Sequence, residues 1–372
     1  QYSANNHKHN DVWIHATSLG ELMSVIPIIK KFEKNKKSKS VMLTTSTQSS
    51  AKIFSKLIFK KTFHIYFPLD TNYLTKKFLD YWQPQLAIFV DSEIWPNMFN
   101  NLNKKKISIV LLNARITKRT FERWQILSGF ARKIFGSISL ALPQNTETSM
   151  YLKKLGVKNI KLEGNLKFYG TKNLYKKETN ILKKKFKNFK LWTVASTHHD
   201  EEIFIGNLHK DLKKNVKNLI TVIIPRHINR SKQIIGDLNT LGLKTVTHSS
   251  KNKLKEDTDI YLVDSYGEAS KFYNLTNITF VGGSLIKHGG QNPLEPARLG
   301  NFILNGPNIE NFKEIYSHLI KQKISTTTSN SNKMMKIILK KINKKASNRI
   351  TKKIFDTGIK ILNKNFFHIK KY

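Results

Sequence analysis

Residues 12–32 read VWIHATSLGELMSVIPIIKKF, and a change of period inside that stretch decides the fold. Val12–His15 is a short apolar run of strand length. From Leu22 onward the apolar positions fall at Val25, Ile26, Ile29 and Phe32, the spacing of a helix that buries one face. Only the turn Ala-Thr-Ser-Leu-Gly-Glu separates the two. A strand running straight into an amphipathic helix predicts a parallel sheet covered by helices.

The same alternation continues on both sides. Further strand candidates are Val41–Thr45, Leu86–Val90, Ile107–Leu112 and Ile138–Leu142. A second block opens at Leu191–Ala195 and continues through Thr221–Ile224, Ile260–Val263 and Ile278–Val281. Between the blocks, residues 171–190 form the Lys/Asn-rich run TKNLYKKETNILKKKFKNFK, which reads as a domain junction. The expected organisation is two doubly wound α/β domains, over residues 1–172 and 173–372. Residues 321–350 carry no site signal, and a helical tail after them can pack back on the first domain. No repeat of solenoid period is present.

Composition supports that division. A chain of 372 residues is long enough for two domains with separate cores. The absence of cysteine excludes disulfides, thiolate metal sites and a cysteine nucleophile. No run reaches the roughly 18 apolar residues of a membrane span. The net charge is +40, but only eight of the 65 cations are arginine. Lysine enrichment beside abundant Asn and Ile is what A/T-rich coding produces, and base readout favours arginine. Nucleic acid is therefore not the expected partner. Anionic membrane and phosphorylated substrates remain open.

Polar residues gather where the apolar runs end. HATSLGE follows the first strand, DSEIWPN follows Leu86–Val90, and STHHDEE follows Leu191–Ala195. PRHINR, DSYGE and GGSLIKHGGQNPLE follow the next three. Open α/β sheets bind ligands beyond the carboxyl ends of their strands, so these clusters predict a cleft between two domains and a donor-plus-acceptor reaction.

Individual residues carry competing readings. Ser18-Leu-Gly-Glu21 matches a capping box, in which Glu21 satisfies backbone N–H groups, and Glu21 is equally placed to act as a base. Asp91 and Glu93 share a face if the strand continues through them. His198, His199, Asp200, Glu201 and Glu202 lack metal-ligand spacing, so the expectation is no metal, with Ser196 and Thr197 offering hydroxyls from a loop. Arg226, after Pro225, suits a phosphate or carboxylate, with Arg230 behind it. Gly282, Gly283, Gly289 and Gly290 allow close backbone approach to phosphate. Asn292 reads as an N-cap, Pro293 as the first helical residue and Glu295 as the third. The glycine spacing fits neither a dinucleotide fingerprint nor a P-loop.

Taken in order, WIHATSLGE, DSEIWPN, LNARIT, GNLKF, STHHDEE, PRH, DSYGE and FVGGSLIKHGGQNPLE resemble the 3-deoxy-D-manno-octulosonic acid (Kdo) transferases. The resemblance runs from about Trp13 to Tyr316. It implies a GT-B fold of two Rossmann-like domains facing a central cleft, the first binding the acceptor and the second a CMP-sugar. It implies inverting, metal-independent transfer of Kdo from CMP-Kdo to the lipid A precursor lipid IVA, with no cofactor. At matching positions Glu21 is the general base, while Asp91, Glu93 and Lys167 stabilise the transition state. CMP contacts fall on Pro225, Arg226, Tyr266, Gly267, Glu268, Asn292, Pro293, Leu294 and Glu295. Family members work at the cytoplasmic face of the inner membrane and begin with a short hydrophobic segment. Such a segment is expected upstream of Gln1, and the +40 charge then suits an anionic membrane surface. The rival readings are a GT-B enzyme using a UDP-sugar and a basic nucleic-acid-binding module.

Overall fold

The computed structural model describes residues 10–36, 38, 40–170, 176–250, 254–344 and 346–372. Contacts divide the chain into two units, Gln1–Gly170 with Asp356–Tyr372, and Thr171–Phe355.

The first unit is built on β1 (Asn10–His15), β2 (Val41–Thr45), β3 (Thr62–Tyr66), β4 (Pro84–Val90), β5 (Ser108–Ala114) and β6 (Leu140–Pro143). They form one parallel sheet in the order β3-β2-β1-β4-β5-β6. β2 and β5 are buried almost throughout, as strands covered on both faces must be. The helix Leu19–Lys34 buries Leu22, Val25, Ile26, Ile29 and Phe32, the positions its periodicity selects. Strand order reverses between β1 and β4, which makes their carboxyl ends the switch point of this sheet.

The second unit repeats the plan with β7 (Lys190–Thr197), β8 (Leu219–Pro225), β9 (Thr245–Thr247), β10 (Ile260–Leu262), β11 (Ile278–Val281), β12 (Phe302–Asn305) and β13 (Ser325–Thr327). The order is β13-β12-β11-β7-β8-β10-β9, all parallel, with the switch point between β7 and β11. Both units bury a tryptophan on a central strand and satisfy its indole N–H in the same way. Trp13 donates to Thr44 Oγ1 at 2.9 Å, and Trp192 donates to Thr221 Oγ1 at 2.7 Å. A buried indole without such a partner would cost about 1–3 kcal/mol.

The junction expected at 172/173 falls among residues 171–175, outside the described residues. The second domain was expected over 173–372 with a helical tail able to pack back on the first; the division falls inside the terminal helix Asn348–Ile369, and residues 356–372 group with the first unit. Specific contacts hold them there: Glu163 takes Lys364 Nζ at 2.8 Å and His368 Nε2 at 2.9 Å. A Cβ on Gly358 would lie 2.8 Å from the Phe168 carbonyl oxygen, so only glycine permits that approach.

Candidate active site

At the switch point of the first sheet, the turn after β1 and the loop after β4 bring three carboxylates together. The capping box exists: the Ser18 hydroxyl receives the Glu21 N–H, while Glu21 Oε2 accepts from the Thr17 N–H at 2.7 Å and the Ser18 N–H at 3.4 Å. Among the described residues Glu21 Oε1 accepts only the Ser18 hydroxyl, at 2.9 Å, and keeps a lone pair for a ligand proton. Capping and proton transfer are therefore compatible in one carboxylate. Burial raises the Glu21 carboxyl above its ordinary value, and the Glu93 and Asp91 charges add to the rise against the Ser18 and Thr17 hydrogen bonds.

Asp91 and Glu93 do not share a strand face. β4 ends at Val90, and Asp91 turns the chain with φ +61°. Asp91 Oδ2 lies 3.5 Å from Lys167 Nζ, while buried Oδ1 has no hydrogen-bond partner among the described residues. Burial raises the Asp91 carboxyl, with Lys167 and Arg115 opposing. Glu93 faces the other way, to His15 Nε2 at 3.3 Å and the Trp95 indole N–H at 2.9 Å. For Glu93 burial also acts upward, but the His15, Thr17 and Trp95 contacts outweigh it and hold the carboxyl below its ordinary value. Two acids two residues apart are thus pushed in opposite directions.

His15 is the residue that sequence reading passed over as the end of a strand. It is fully buried and stacks on Phe67 with centroids 3.9 Å apart. The Glu93 carboxylate only accepts, so the ring proton sits on Nε2 facing it, and in the neutral ring Nδ1 then accepts the Thr44 hydroxyl at 2.9 Å while Thr44 Oγ1 accepts the Trp13 N–H. Burial lowers the His15 value against the pull of Glu93, which favours this neutral tautomer. Lys167 is placed by the two motif asparagines: Asn113 Oδ1 accepts the Leu166 N–H and Asn165 Oδ1 accepts the Lys167 N–H, at 2.9 and 2.8 Å.

At the switch point of the second sheet the glycine loop is used differently from expectation. Glu201, 1% exposed, accepts N–H bonds from Gly283 (2.7 Å), Ser284 (3.1 Å), Leu285 (3.0 Å) and His198 (3.0 Å). The backbone donors that glycine spacing offered to phosphate are taken by a carboxylate of the same chain. A Cβ on Gly282 would stand 2.6 Å from Glu201 Oε2, and one on Gly289 2.4 Å from Asn311 Nδ2, so internal packing explains these glycines. Thr197 ends β7 fully buried, its hydroxyl without a partner among the described residues, so it offers nothing to solvent. The helix at Leu294–Arg298 is five residues long and capped at Pro293, one position later than expected. Asn292 Oδ1 still accepts the Leu294 N–H at 3.0 Å.

What remains accessible is a set of side chains. Arg226, Tyr266, Asn292 and Glu295 are exposed, whereas Pro225, Pro293 and Leu294 are buried and can offer only backbone. Gly267 turns with φ +82°, and Glu268 pairs with Lys271 at 2.8 Å. The loops after β7, β8 and β11 meet at His198: its ring lies 4.0 Å from His288 and 6.1 Å from His227 by centroids, and its Nε2 lies 3.2 Å from Gln291 Nε2. Burial and then the charges of His288, His227, Arg230 and Arg226 push the His198 imidazole down to about 4, so it is neutral at pH 7. No group of three His, Cys, Asp or Glu among the described residues could hold a metal ion.

The two arginines after β8 have separate jobs. Arg230 makes a two-point contact with buried Glu202, Nη1 to Oε1 at 3.0 Å and Nη2 to Oε2 at 3.2 Å. Arg230→Ala strands that buried charge and is expected to cost about 3–5 kcal/mol of stability, read by denaturant unfolding. Arg226 has no carboxylate within ion-pair distance among the described residues, so Arg226→Ala should leave stability within ~0.5 kcal/mol. A larger stability loss for Arg226→Ala would assign it a structural contact instead.

Residues 1–169 match the family described as 3-deoxy-D-manno-octulosonic-acid transferase (kdotransferase). The chain is 34% identical over 329 residues to the 3-deoxy-D-manno-octulosonic acid transferase of Rickettsia bellii, covering 88% of this chain and 78% of that one. It is 29% identical over 359 residues to the corresponding Haemophilus influenzae enzyme, covering 95% and 83%. Among solved structures, UDP-GlcNAc 2-epimerase from Neisseria meningitidis superposes with a TM-score of 0.60 at 14% identity, over 96% of this chain and all of that one. That likeness establishes a fold of the GT-B type, two Rossmann-like α/β domains. The chain belongs to the 3-deoxy-D-manno-octulosonic acid transferase family and is a glycosyltransferase that adds Kdo in lipopolysaccharide biosynthesis.

Proposed function

We propose that the chain transfers Kdo from CMP-Kdo to lipid IVA with inversion and without a metal ion or cofactor, at the cytoplasmic face of the inner membrane. The acceptor hydroxyl oxygen bonds to the anomeric carbon as the bond to the CMP phosphate oxygen breaks. The hydroxyl proton passes to Glu21, and CMP leaves with the bonding electron pair. Carrying this reading is the raised carboxyl of Glu21 beside Asp91, Glu93 and Lys167 at a switch point. A base of raised pKa abstracts a proton better than an ordinary carboxylate, and Lys167 and the paired acids supply fixed charge around an oxocarbenium-like centre.

In this reading the first domain takes the acceptor and the second the donor. Exposed Arg226 neutralises the departing phosphate. The Tyr266-Gly267-Glu268 turn and Asn292 to Glu295 hold the nucleoside, with Pro225, Pro293 and Leu294 contributing backbone. Among the described residues no helix is long and apolar enough to cross a membrane, and the +40 charge suits attraction to an anionic bilayer.

Calorimetry separates this reading from a UDP-sugar enzyme. CMP should saturate the protein and UDP should not, with Arg226→Ala weakening CMP about tenfold or more. Mass spectrometry of lipid IVA after incubation with CMP-Kdo should then show added Kdo. Saturation by UDP alone, or unmodified lipid with CMP bound, would overturn the proposal.

A further inference from the structure

The second unit contains a cavity that has no part in the reaction just described. Its volume is about 380 Å³, in the range of small-ligand sites. Asn277, Gly300 and Phe302 line it, and β11 and β12 begin at Ile278 and Phe302. The cavity therefore opens at the amino-terminal end of the parallel sheet. His198, Arg226 and the 282–295 loop lie at the opposite, carboxyl-terminal end.

Its charge is one-sided. Five of the twelve lining residues are cations, Lys323, Lys341, Lys344, Arg349 and Lys353, and none is a carboxylate. Across the chain cations are 65 of 372, so a lysine-rich background accounts for about two of the five. Lys341 stands 3.8 Å above the Phe302 ring, and burial followed by the Lys344 and Lys340 charges lowers its ammonium.

A helix end adds to the same field. The 22-residue helix Asn348–Ile369 starts in the cavity wall, with Ser347 Oγ accepting the Ile350 N–H at 3.4 Å. Its first turn holds no acid and does hold Arg349. A cation at the positive end of a helix dipole is unfavourable unless an anion sits beside it. Gly300, with φ +87°, lets that turn come close, since a Cβ there would lie 2.9 Å from Ser347 N.

We propose that this cavity binds a small multiply charged phosphate anion of the pyrophosphate or phosphomonoester class. Lysine ammoniums act as point charges that suit the tetrahedral, many-acceptor geometry of phosphate, and a helix N-terminus adds N–H donors. The Phe302 ring is already covered by Lys341, so the site selects for phosphate and not for an attached aromatic base.

The test is titration of the full chain with inorganic pyrophosphate at physiological salt, followed by calorimetry. Lys341→Gln with Arg349→Gln should weaken pyrophosphate at least tenfold and leave CMP binding unchanged. A control pair at exposed positions outside the cavity, Lys232→Gln with Lys336→Gln, should leave pyrophosphate binding within twofold. Vesicles containing phosphatidic acid form a parallel arm. If the cavity pair weakens vesicle binding while free pyrophosphate competes it away, the same site takes its phosphate from a lipid headgroup. Equal weakening by the control pair would reduce the effect to diffuse charge and overturn the proposal. So would pyrophosphate binding that survives the cavity pair, or no binding of phosphate from either source.

Discussion

Glu21→Gln is expected to lower transfer by about 10²–10⁴-fold while CMP affinity stays unchanged. The amide keeps an oxygen that can accept the Thr17 and Ser18 N–H bonds, so the capping box survives in large part while the base is lost. CMP is assigned to the other domain, so its calorimetric signal is the control. Glu21→Ala also removes the carboxylate half of the capping box, leaving the Glu21 N–H on the Ser18 hydroxyl, and should cost a further ~1 kcal/mol of stability without a further loss in rate. Near-normal turnover in Glu21→Gln would leave only the capping role.

The same carboxylate sets a pH signature. Because burial and then Glu93 and Asp91 hold Glu21 above its ordinary value, the base is lost as pH falls through that raised value. Asp91→Asn should move the acid limb of the rate profile downward, because it removes one of the charges responsible. Stability responds to this proton with the opposite sign. Between the ordinary carboxyl value and the raised one, the folded state binds more protons than the unfolded chain, so stability falls as pH rises through that window. Glu21→Gln should remove the Glu21 share of that slope and leave the part that Asp91, also raised by burial, contributes, and measuring it needs no substrate.

How much of this could be read from the sequence depends on the range of the interaction. The strands at Val41–Thr45 and Ile278–Val281 keep the bounds their apolar runs set, and the first helix buries the face its spacing selects, because period and burial are local properties. β3, β9, β12 and β13 were not foreseen. β3, β9 and β13 lie toward sheet edges, where burial is partial and the apolar signal correspondingly weak. The same limit applies to the site. Glu21, Asp91 and Arg226 were legible as polar residues at strand ends. His15 was not, because its partner Thr44 is 29 positions away and the relation exists only once β1 and β2 pair. Glu201 illustrates the limit most sharply: a helix-opening acid in the sequence becomes the acceptor for a loop more than 80 positions later.

That loop contact leads to a stability effect as large as the one expected for Arg230→Ala. Glu201→Ala should destabilise the second domain by about 3–5 kcal/mol, because each buried N–H left without an acceptor costs about 1–3 kcal/mol and local relaxation recovers part of the sum. Three loop N–H groups and that of His198 lose their acceptor at once, and the vacated space is enclosed by Gly282 and the Ser196 backbone. For a domain of this size, that corresponds to a fall of roughly 10 °C in its Tm. Glu201→Gln tests the charge separately from the shape. It keeps one carbonyl oxygen for the donors but turns an NH₂ toward the others, so it should recover only part of the loss. Hydrogen exchange localises the effect, because Gly283, Ser284 and Leu285 should lose protection before the β7 strand does. The loop also carries Asn292 to Glu295, so CMP affinity should fall with its order even though Glu201 is too buried to touch a ligand. If Glu201→Ala lowers Tm by less than about 2 °C, water has replaced the carboxylate, and the loop is held by Ser284 and Asn308 instead.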